Sequence, residues 1–267
     1  MSLDESECLG CVYIVPPKSQ EVDAEVPLRV RQSEFKRGLD PVLFETVRSC
    51  IVEVCLSRRP GFPARIIGLM REIIVAEHIS LDGVVQAPGG REEDTSGGFQ
   101  FGGWSVPLSS KEGGKVILSL HEQPFELLLG RNTYDGWADY WPKQPRGNPI
   151  ADPFNDTIKH VATHRPDSLT WHESRAVDID GIRELKETEG RDLLTWGSSD
   201  LVRQMLAEGL VDTLWLFVYP VVLGAGKRLW DGSAMPSSFR VVNSETTPAG
   251  MQALCLERDG EVRTGNI

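Results

Sequence analysis

The sequence predicts an α/β protein: a central, mostly parallel mixed sheet with flanking helices and antiparallel strands at its C-terminal end. Three observations carry this expectation. Strand-length apolar runs alternate with helical patterns from residue 73 to about residue 210. Beyond that point, strand patterns at 211–224, 238–247 and 251–258 follow one another with no helical pattern between them, which calls for antiparallel pairing. The 267 residues, 40% of them hydrophobic and 25% charged, suffice for an ordinary core in one large domain or two small ones.

Residues 1–37 are mixed, with Pro16, Pro17, Pro27 and scattered charges, and read as loosely ordered. Residues 40–57 read as a helix. Asp40 is a fitting cap, Pro41 suits the first helical position, and Leu43, Val47, Ile51 and Cys55 form an apolar stripe. Arg58, Arg59, Pro60 and Gly61 end it. Residues 1–69 are thus an N-terminal extension that packs as an extra helix, is disordered, or reflects the choice of start site. Met70 opens what reads as a complete domain, 70–267.

Within that domain IIVAEHISL (73–81) reads as a buried strand, with Asp82–Gly83 as the turn after it. Six glycines lie between residues 87 and 103, so this is a long loop, either solvated or folded over a substrate. A helix is expected at 110–123, weakened by Gly113 and Gly114, then a strand at 125–129 and a helix to Tyr140. Strands follow at 159–164 and 168–174, a helix at 181–189 and a strand at 192–196. The helix at 198–209 is capped by Ser198 or Ser199, lined by Leu201, Met205 and Leu206, and stopped by Gly209.

Charge and cysteine content narrow the function. A net charge of −11 and a pI near 5.0 disfavour a general nucleic-acid binder but leave room for an anionic ligand held by a few placed groups. The five cysteines are Cys8, Cys11, Cys50, Cys55 and Cys255. They are not a disulfide scaffold and suit a reducing, cytoplasmic setting. Cys8 and Cys11 have CxxC spacing with no second pair nearby, and read as incidental thiols. No HExxH or compact His/Cys/Asp set appears, so no metal is expected, and no 18-residue apolar run indicates a membrane span.

Two strands run into glycine and then a helix: LLLG-RNTYDG and LLTWG-SSDLV. Helix N-termini offer free amides and positive potential. Gly130 and Gly197 allow close backbone approach, Arg131 adds a bidentate cation, and Thr133, Ser198 and Ser199 add hydroxyls. Together these could hold a pyrophosphate or a similar anion. Neither segment is a standard nucleotide fingerprint, so ordinary capping is the competing reading of each. Arg165, after the strand ending at Thr163 and His164, is either a further phosphate contact or a surface arginine. Asp82 is the best-placed acid for a cleft, or simply a turn former.

Taken together, IIVAEHISLDGVV (73–85), LLLGRNTYDGWADYWP (127–142), KHVATH (159–164), DLLTWGSSDLVRQMLAEGLVD (192–212) and LWLFVYPVVLGAGKRLW (214–230) resemble the dihydrofolate reductase superfamily. The resemblance is to the branch related to the C-terminal reductase domain of bacterial riboflavin biosynthesis, and it covers residues 71–258. It implies NADPH as cofactor and hydride transfer to a small heterocycle or a ribosylamino-pyrimidine-like substrate. It implies cofactor contacts at Gly130, Arg131, Asn132, Thr133, His164, Arg165, Gly197, Ser198, Ser199 and Leu201. Asp82, beside Gly83, is implied as a catalytic residue beside nicotinamide and substrate. Tyr219, Pro220, Val222, Leu223, Gly224 and Gly226 match a family stretch shaping the pocket floor. A homodimer is implied as well. Three departures stand out: the helix at 110–123 offers only Glu112 and Glu122 where dihydrofolate reductases carry a proton-donating acid, His164 replaces the family's usual serine, and Trp196 replaces one of a pair of glycines. A fold relative that binds without catalysis, or an enzyme of another class acting on a phosphorylated ligand, remain alternatives.

Overall fold

A computed structural model of the chain describes residues 12–15, 51–54 and 70–266. In the first unit, β1 (Val12–Val15) pairs antiparallel with β2 (Ile51–Val54), Val12 standing opposite Val54. The extended conformation at 51–54 departs from the helix expected over 40–57. Ile51, Val52 and Val54 are β-branched and fit a pleated strand better than a helix interior. The rest of that stretch lies outside the described residues.

The second unit, Gly68–Ile267, is built on one eight-stranded sheet. Its strands are β3 (Ile73–Ser80), β4 (Phe125–Gly130), β5 (Lys159–Ala162), β6 (Ser174–Val177), β7 (Asp192–Trp196), β8 (Thr213–Tyr219), β9 (Phe239–Thr246) and β10 (Gln252–Arg258). The order is β6-β5-β4-β7-β3-β8-β10-β9. The six strands from β6 to β8 are parallel, and β10 and β9 close the sheet antiparallel. Helices make the parallel crossovers: α1 (Lys111–Ser119), α2 (Arg131–Tyr140), α3 (Ala151–Asp156), α4 (Ile179–Lys186) and α5 (Ser199–Ala207). The predicted α/β architecture, with its antiparallel C-terminal end, is the one observed.

Local chemistry sets the ends. Ser110 caps α1 by accepting from the Gly113 amide, and Asp178 caps α4 through Gly181. The apolar run at 211–224 stops pairing at Tyr219, because Pro220 has no amide to donate. The strand expected at 168–174 is instead a short 3₁₀ turn (Pro166–Ser168), with β6 beginning only at Ser174. Its apolar signal came from Trp171, which is buried, while the Tyr134 hydroxyl accepts from the amides of Thr170 and Trp171. Beneath that turn Lys159 is fully buried and lies over the Trp171 ring, with Nζ donating to the carbonyls of Asn155 and His172. Burial lowers its pKa to about 8.

The two sheet faces differ in chemistry. One packs Val75, Ile79, Leu214 and Leu216 against Ile182 of α4 and Leu201, Val202 and Met205 of α5. The other is aromatic: Trp196 stacks on Phe217 with rings 3° from parallel, and His78 touches both. Further along this face His121, Phe125, Phe154, Trp137 and Trp141 interlock.

Candidate functional site

The sheet opens on both sides of β7: its pairing with β4 ends at Leu127 opposite Leu194, while β4 stays paired with β5 as far as Gly130 opposite Ala162. The β3–β7 pairing ends at Ala76 opposite Trp196, whereas β3 stays paired with β8 as far as Ser80 opposite Tyr219. A crevice therefore begins where β7 turns into Gly197 and α5. This is the C-terminal edge of the parallel strands, at the point where successive connections diverge, a usual place for ligands in open α/β sheets.

The structure brings the two glycine-to-helix segments into direct contact there. The Gly130 amide donates to Ser198 Oγ at 2.9 Å, and the Ser198 amide donates to Thr133 Oγ1 at 3.0 Å. A Cβ on Gly130 would stand 3.3 Å from that of Ser198, so the two turns close only around a bare backbone. Gly197 and Ser198 both adopt left-handed conformations, with φ of +57° and +56°. For Ser198 this is uncommon backbone; its two cross-loop hydrogen bonds hold it. The α5 N-terminus that follows, with Ser199 part-exposed, faces the same edge.

The remaining predicted cofactor residues divide. Arg131 is already engaged: it grips Asp135 and donates to Ser168 Oγ at 2.6 Å, tying the start of α2 to the 163–168 loop. Asn132, His164 and Arg165 are exposed, and among the described residues neither the imidazole of His164 nor the guanidinium of Arg165 has a partner. Leu201 is 4% exposed and packs in the core, so only its backbone could face a ligand.

Asp82 has a different environment from the one expected of an acid. Its carboxylate accepts from Ser80 Oγ (2.7 Å), from the amides of Leu223 (3.1 Å) and Gly224 (2.9 Å), and from Arg228. Some desolvation opposes ionisation, but the hydrogen bonds from Ser80, Leu223 and Gly224 outweigh it and hold the group far below the ordinary carboxylate range. So held, Asp82 is a fixed anion that staples the end of β3 to the 221–224 loop, and it has no proton to give near neutral pH.

Two residues of β3 that the sequence motifs leave outside the cofactor site add to this picture. Glu77 is 2% exposed, and its Oε1 is buried without a hydrogen-bond partner. Burial first, then the nearby Glu93, push its carboxyl well up, with Arg203 pulling weakly the other way. A charged residue inside an otherwise apolar strand run was the available signal. An acid whose folded pKa is raised contributes stability below its unfolded value and loses it as pH rises. Glu77→Gln should therefore stabilise the protein at pH 7 and leave it unchanged near pH 4. Urea unfolding at both pH values checks this; equal effects at the two would show that Glu77 is not held protonated.

The second is His78 on the aromatic side, with Nδ1 2.9 Å from the Tyr219 hydroxyl. Burial lowers its pKa to about 4, so it is a neutral imidazole.

The glycine-rich segment folds back as an arch beside the crevice. Trp104 Nε1 donates to the Gln86 carbonyl, Gln86 Nε2 donates to the carbonyls of Asp94 and Ser96, and Lys227 pairs with Asp94 at 2.7 Å. Gly102 is required, because a Cβ there would collide with the Arg91 and Gly90 carbonyls. A groove of about 780 Å³ runs along this arch, bounded by Gly90, Thr95, Phe101, Trp104, Val106 and Leu223. Among the described residues no cluster of three metal-ligating side chains occurs, and no helix is long and apolar enough to cross a membrane.

Comparison with known proteins adds a relationship to this geometry. The family model for the RibD C-terminal domain matches residues 71–253. The chain is similar to the uncharacterized protein YyaP of Bacillus subtilis (strain 168), at 25% identity over 197 residues, 71% of this chain and 96% of YyaP. Among solved structures, a pyrimidine reductase-like protein from Corynebacterium diphtheriae aligns with a TM-score of 0.48 and 13% identity, covering 72% of this chain and 93% of that one. A diaminohydroxyphosphoribosylaminopyrimidine deaminase/5-amino-6-(5-phosphoribosylamino)uracil reductase from Thermotoga maritima aligns at 0.45 and 13%, covering 71% and 57% respectively.

Proposed function

The chain belongs to the RibD C-terminal domain family, with a dihydrofolate reductase-like fold, and from that premise we propose that it is an NADPH-dependent reductase of a small heterocyclic, ribosylamino-pyrimidine-like substrate. The observation that supports this most directly is the lacing of the Gly130–Thr133 turn to the Gly197–Ser199 turn at the mouth of the crevice. Two helix N-termini side by side, with bare glycine backbone, suit a pyrophosphate. Arg165, exposed on the neighbouring loop and unpaired among the described residues, suits a 2′-phosphate, with His164 beside it.

NADPH, when bound, would supply the hydride. The chain's own work is to hold and orient. Gly130, Asn132, Thr133, Gly197, Ser198, Ser199 and the Leu201 backbone line the phosphate side, and Arg131 fixes the loop that carries Arg165. Asp82, proposed from the sequence as catalytic, fits better as the staple that holds the 221–224 loop against β3. The low cysteine content, acidic surface and family likeness support a cytoplasmic homodimer acting on a small molecule, without nucleic-acid, membrane or metal partners. One observation favours a binding protein without catalysis: the expected acid is locked as an anion.

Fluorescence titration tests the reading. NADPH should bind in the low micromolar range or tighter, with NADH clearly weaker. Arg165→Ala should narrow that preference by about tenfold, the worth of one charge-assisted contact. An unchanged NADPH/NADH ratio would reject Arg165 as the discriminating group, and no binding of either nucleotide would sink the reductase proposal.

A further inference from the structure

Among the described residues Lys159 is the only lysine or arginine that is fully buried, and no carboxylate pairs with it. It opens β5 and lies beneath the 163–173 loop that carries His164 and Arg165. Its Nζ donates to the Asn155 carbonyl at 2.7 Å and to the His172 carbonyl at 2.9 Å, and stands 4.6 Å from the centre of the Trp171 ring. The two carboxylates that act on it from a distance are engaged elsewhere: Asp156 with Arg146 at 2.9 Å, and Glu173 with Arg175 at 3.6 Å. The His172 imidazole is exposed and lies beside Glu173.

The loop is tied down at three points. Arg131, the first residue of α2, donates to Ser168 Oγ at 2.6 Å. Tyr134, one turn on, accepts from the amides of Thr170 and Trp171. Lys159 holds the His172 carbonyl, while Trp171 Nε1 donates to Asn155 Oδ1 at 2.9 Å. Between these points the amide and hydroxyl of Ser168 both donate to the Arg165 carbonyl. The segment from Arg165 to His172 is therefore one braced piece. An ammonium suits its end of that piece in number as well as in charge. It has three N–H groups, and its surroundings supply two carbonyls and one aromatic face. A neutral amine has two N–H groups and a lone pair, which would then face a carbonyl oxygen or the ring. Burial lowers the lysine pKa to about 8, so this exchange falls just above neutral pH.

We propose that Lys159 is a positioning residue for the cofactor's 2′-phosphate: its ammonium, held by the Asn155 and His172 carbonyls against the Trp171 ring, fixes the loop on which Arg165 stands. The proposal rests on the reading of Arg165 as the group that meets that phosphate. Lys159 touches no ligand and acts through the loop. Loss of the ammonium, by substitution or by deprotonation, loosens the loop. It weakens NADPH binding more than NADH binding, because NADH brings no phosphate to that place. Linkage makes the effect reciprocal: NADPH, by favouring the braced loop, favours the protonated lysine. Binding of NADPH should therefore take up protons near pH 8, and binding of NADH should not.

Fluorescence titration of the full chain with NADPH and with NADH, from about pH 7 to about pH 9.5, tests this. The NADPH/NADH affinity ratio should fall at least about fivefold across that range, the lower end of coupling between sites. Lys159→Met, which keeps the length of the side chain and removes its donors, should show the lowered ratio at every pH. Calorimetry near pH 8, in buffers of different ionisation enthalpy, should find proton uptake with NADPH and none with NADH. That uptake should be lost in Lys159→Met. A lysine with a merely structural role would lower both affinities together in the variant and leave the wild-type ratio flat with pH. That result would overturn the proposal, as would a pH-dependent ratio or a proton uptake that survives Lys159→Met. Should the variant fail to fold, the wild-type ratio and proton uptake decide alone, and a flat ratio without uptake rejects the role. Wild-type protein that binds NADPH no better than NADH at any pH would remove the reading of Arg165 itself, and this proposal with it.

Discussion

Glu126→Leu should lower the unfolding free energy by about 3–5 kcal/mol, the cost of leaving a buried charge without its partner. Glu126 lies on β4 with its side chain 9% exposed, between Arg71 at 2.6 Å and His160 at 2.7 Å, themselves 10% and 5% exposed. Burial alone would raise the Glu126 pKa, but the hydrogen bonds and charges of His160 and Arg71 prevail and hold it below its ordinary value. Without the carboxylate, the Arg71 guanidinium faces apolar surroundings, and its Nε already lacks an acceptor. Urea unfolding measures the loss. Replacing Arg71, Glu126 and His160 together by apolar residues of similar volume should recover much of it, since the penalty belongs to the broken set. A loss under about 1 kcal/mol from Glu126→Leu would mean that water reaches the guanidinium and that the triad is not a buried one.

The second large effect is on pH. The buried histidines should each cost stability as pH drops from about 6.5 to about 4, against the opposite contribution of Glu77 and Glu93, whose raised values favour the fold as pH falls. Burial lowers His78 and His121 from an ordinary 6.5 to about 4. A base whose folded pKa lies below its unfolded value binds fewer protons when folded in that window. The stability is thus complete above 6.5 and is lost as pH falls towards the folded value. Each imidazole contributes up to about 3 kcal/mol on this account. His160, lowered first by burial and pulled back by Glu126, adds in the same direction. The carboxylates with depressed values, Asp82 and Asp94 among them, act below this window. His121→Phe should therefore flatten the stability profile between pH 6.5 and 4 while leaving its more acid limb in place. An unaltered slope in that window would show that His121 is solvated in the fold.

Particular residues show where the sequence was legible. Strand β7 was read to the residue, because DLLTW is bounded by charge before it and glycine after it. The helix at Ser199–Ala207 was read within two residues from its cap, its apolar stripe and Gly209. The register that aligns Ala76 with Trp196, and so opens the crevice, was not written in any one segment. Misreadings had local causes. Trp171 made a loop look like a strand, and β2 made a helix pattern of β-branched residues. At the site, Gly130 and Gly197 were legible because close approach demands bare backbone. What was not legible was which polar groups would find partners. Arg131 meets Asp135 and Ser168, Asp82 meets two amides from residues 141 and 142 positions away, and Glu77 meets none at Oε1.

The central position of β3 also governs when the sheet can form. It is the first strand of its unit, yet both its neighbours come from late in the chain. Ile73 waits for Asp212, 139 residues on, and His78 waits for Tyr219, 141 residues on. At typical synthesis rates of about 5–20 residues per second, β3 stands unpaired on the ribosome for roughly 7–28 seconds. IIVAEHIS is then an apolar segment interrupted by an acid and an imidazole. In that solvated interval the acid is ionised at its ordinary value, and its charge opposes association of the waiting strand with another nascent copy. The same acid is driven towards its neutral form only when the finished sheet buries it.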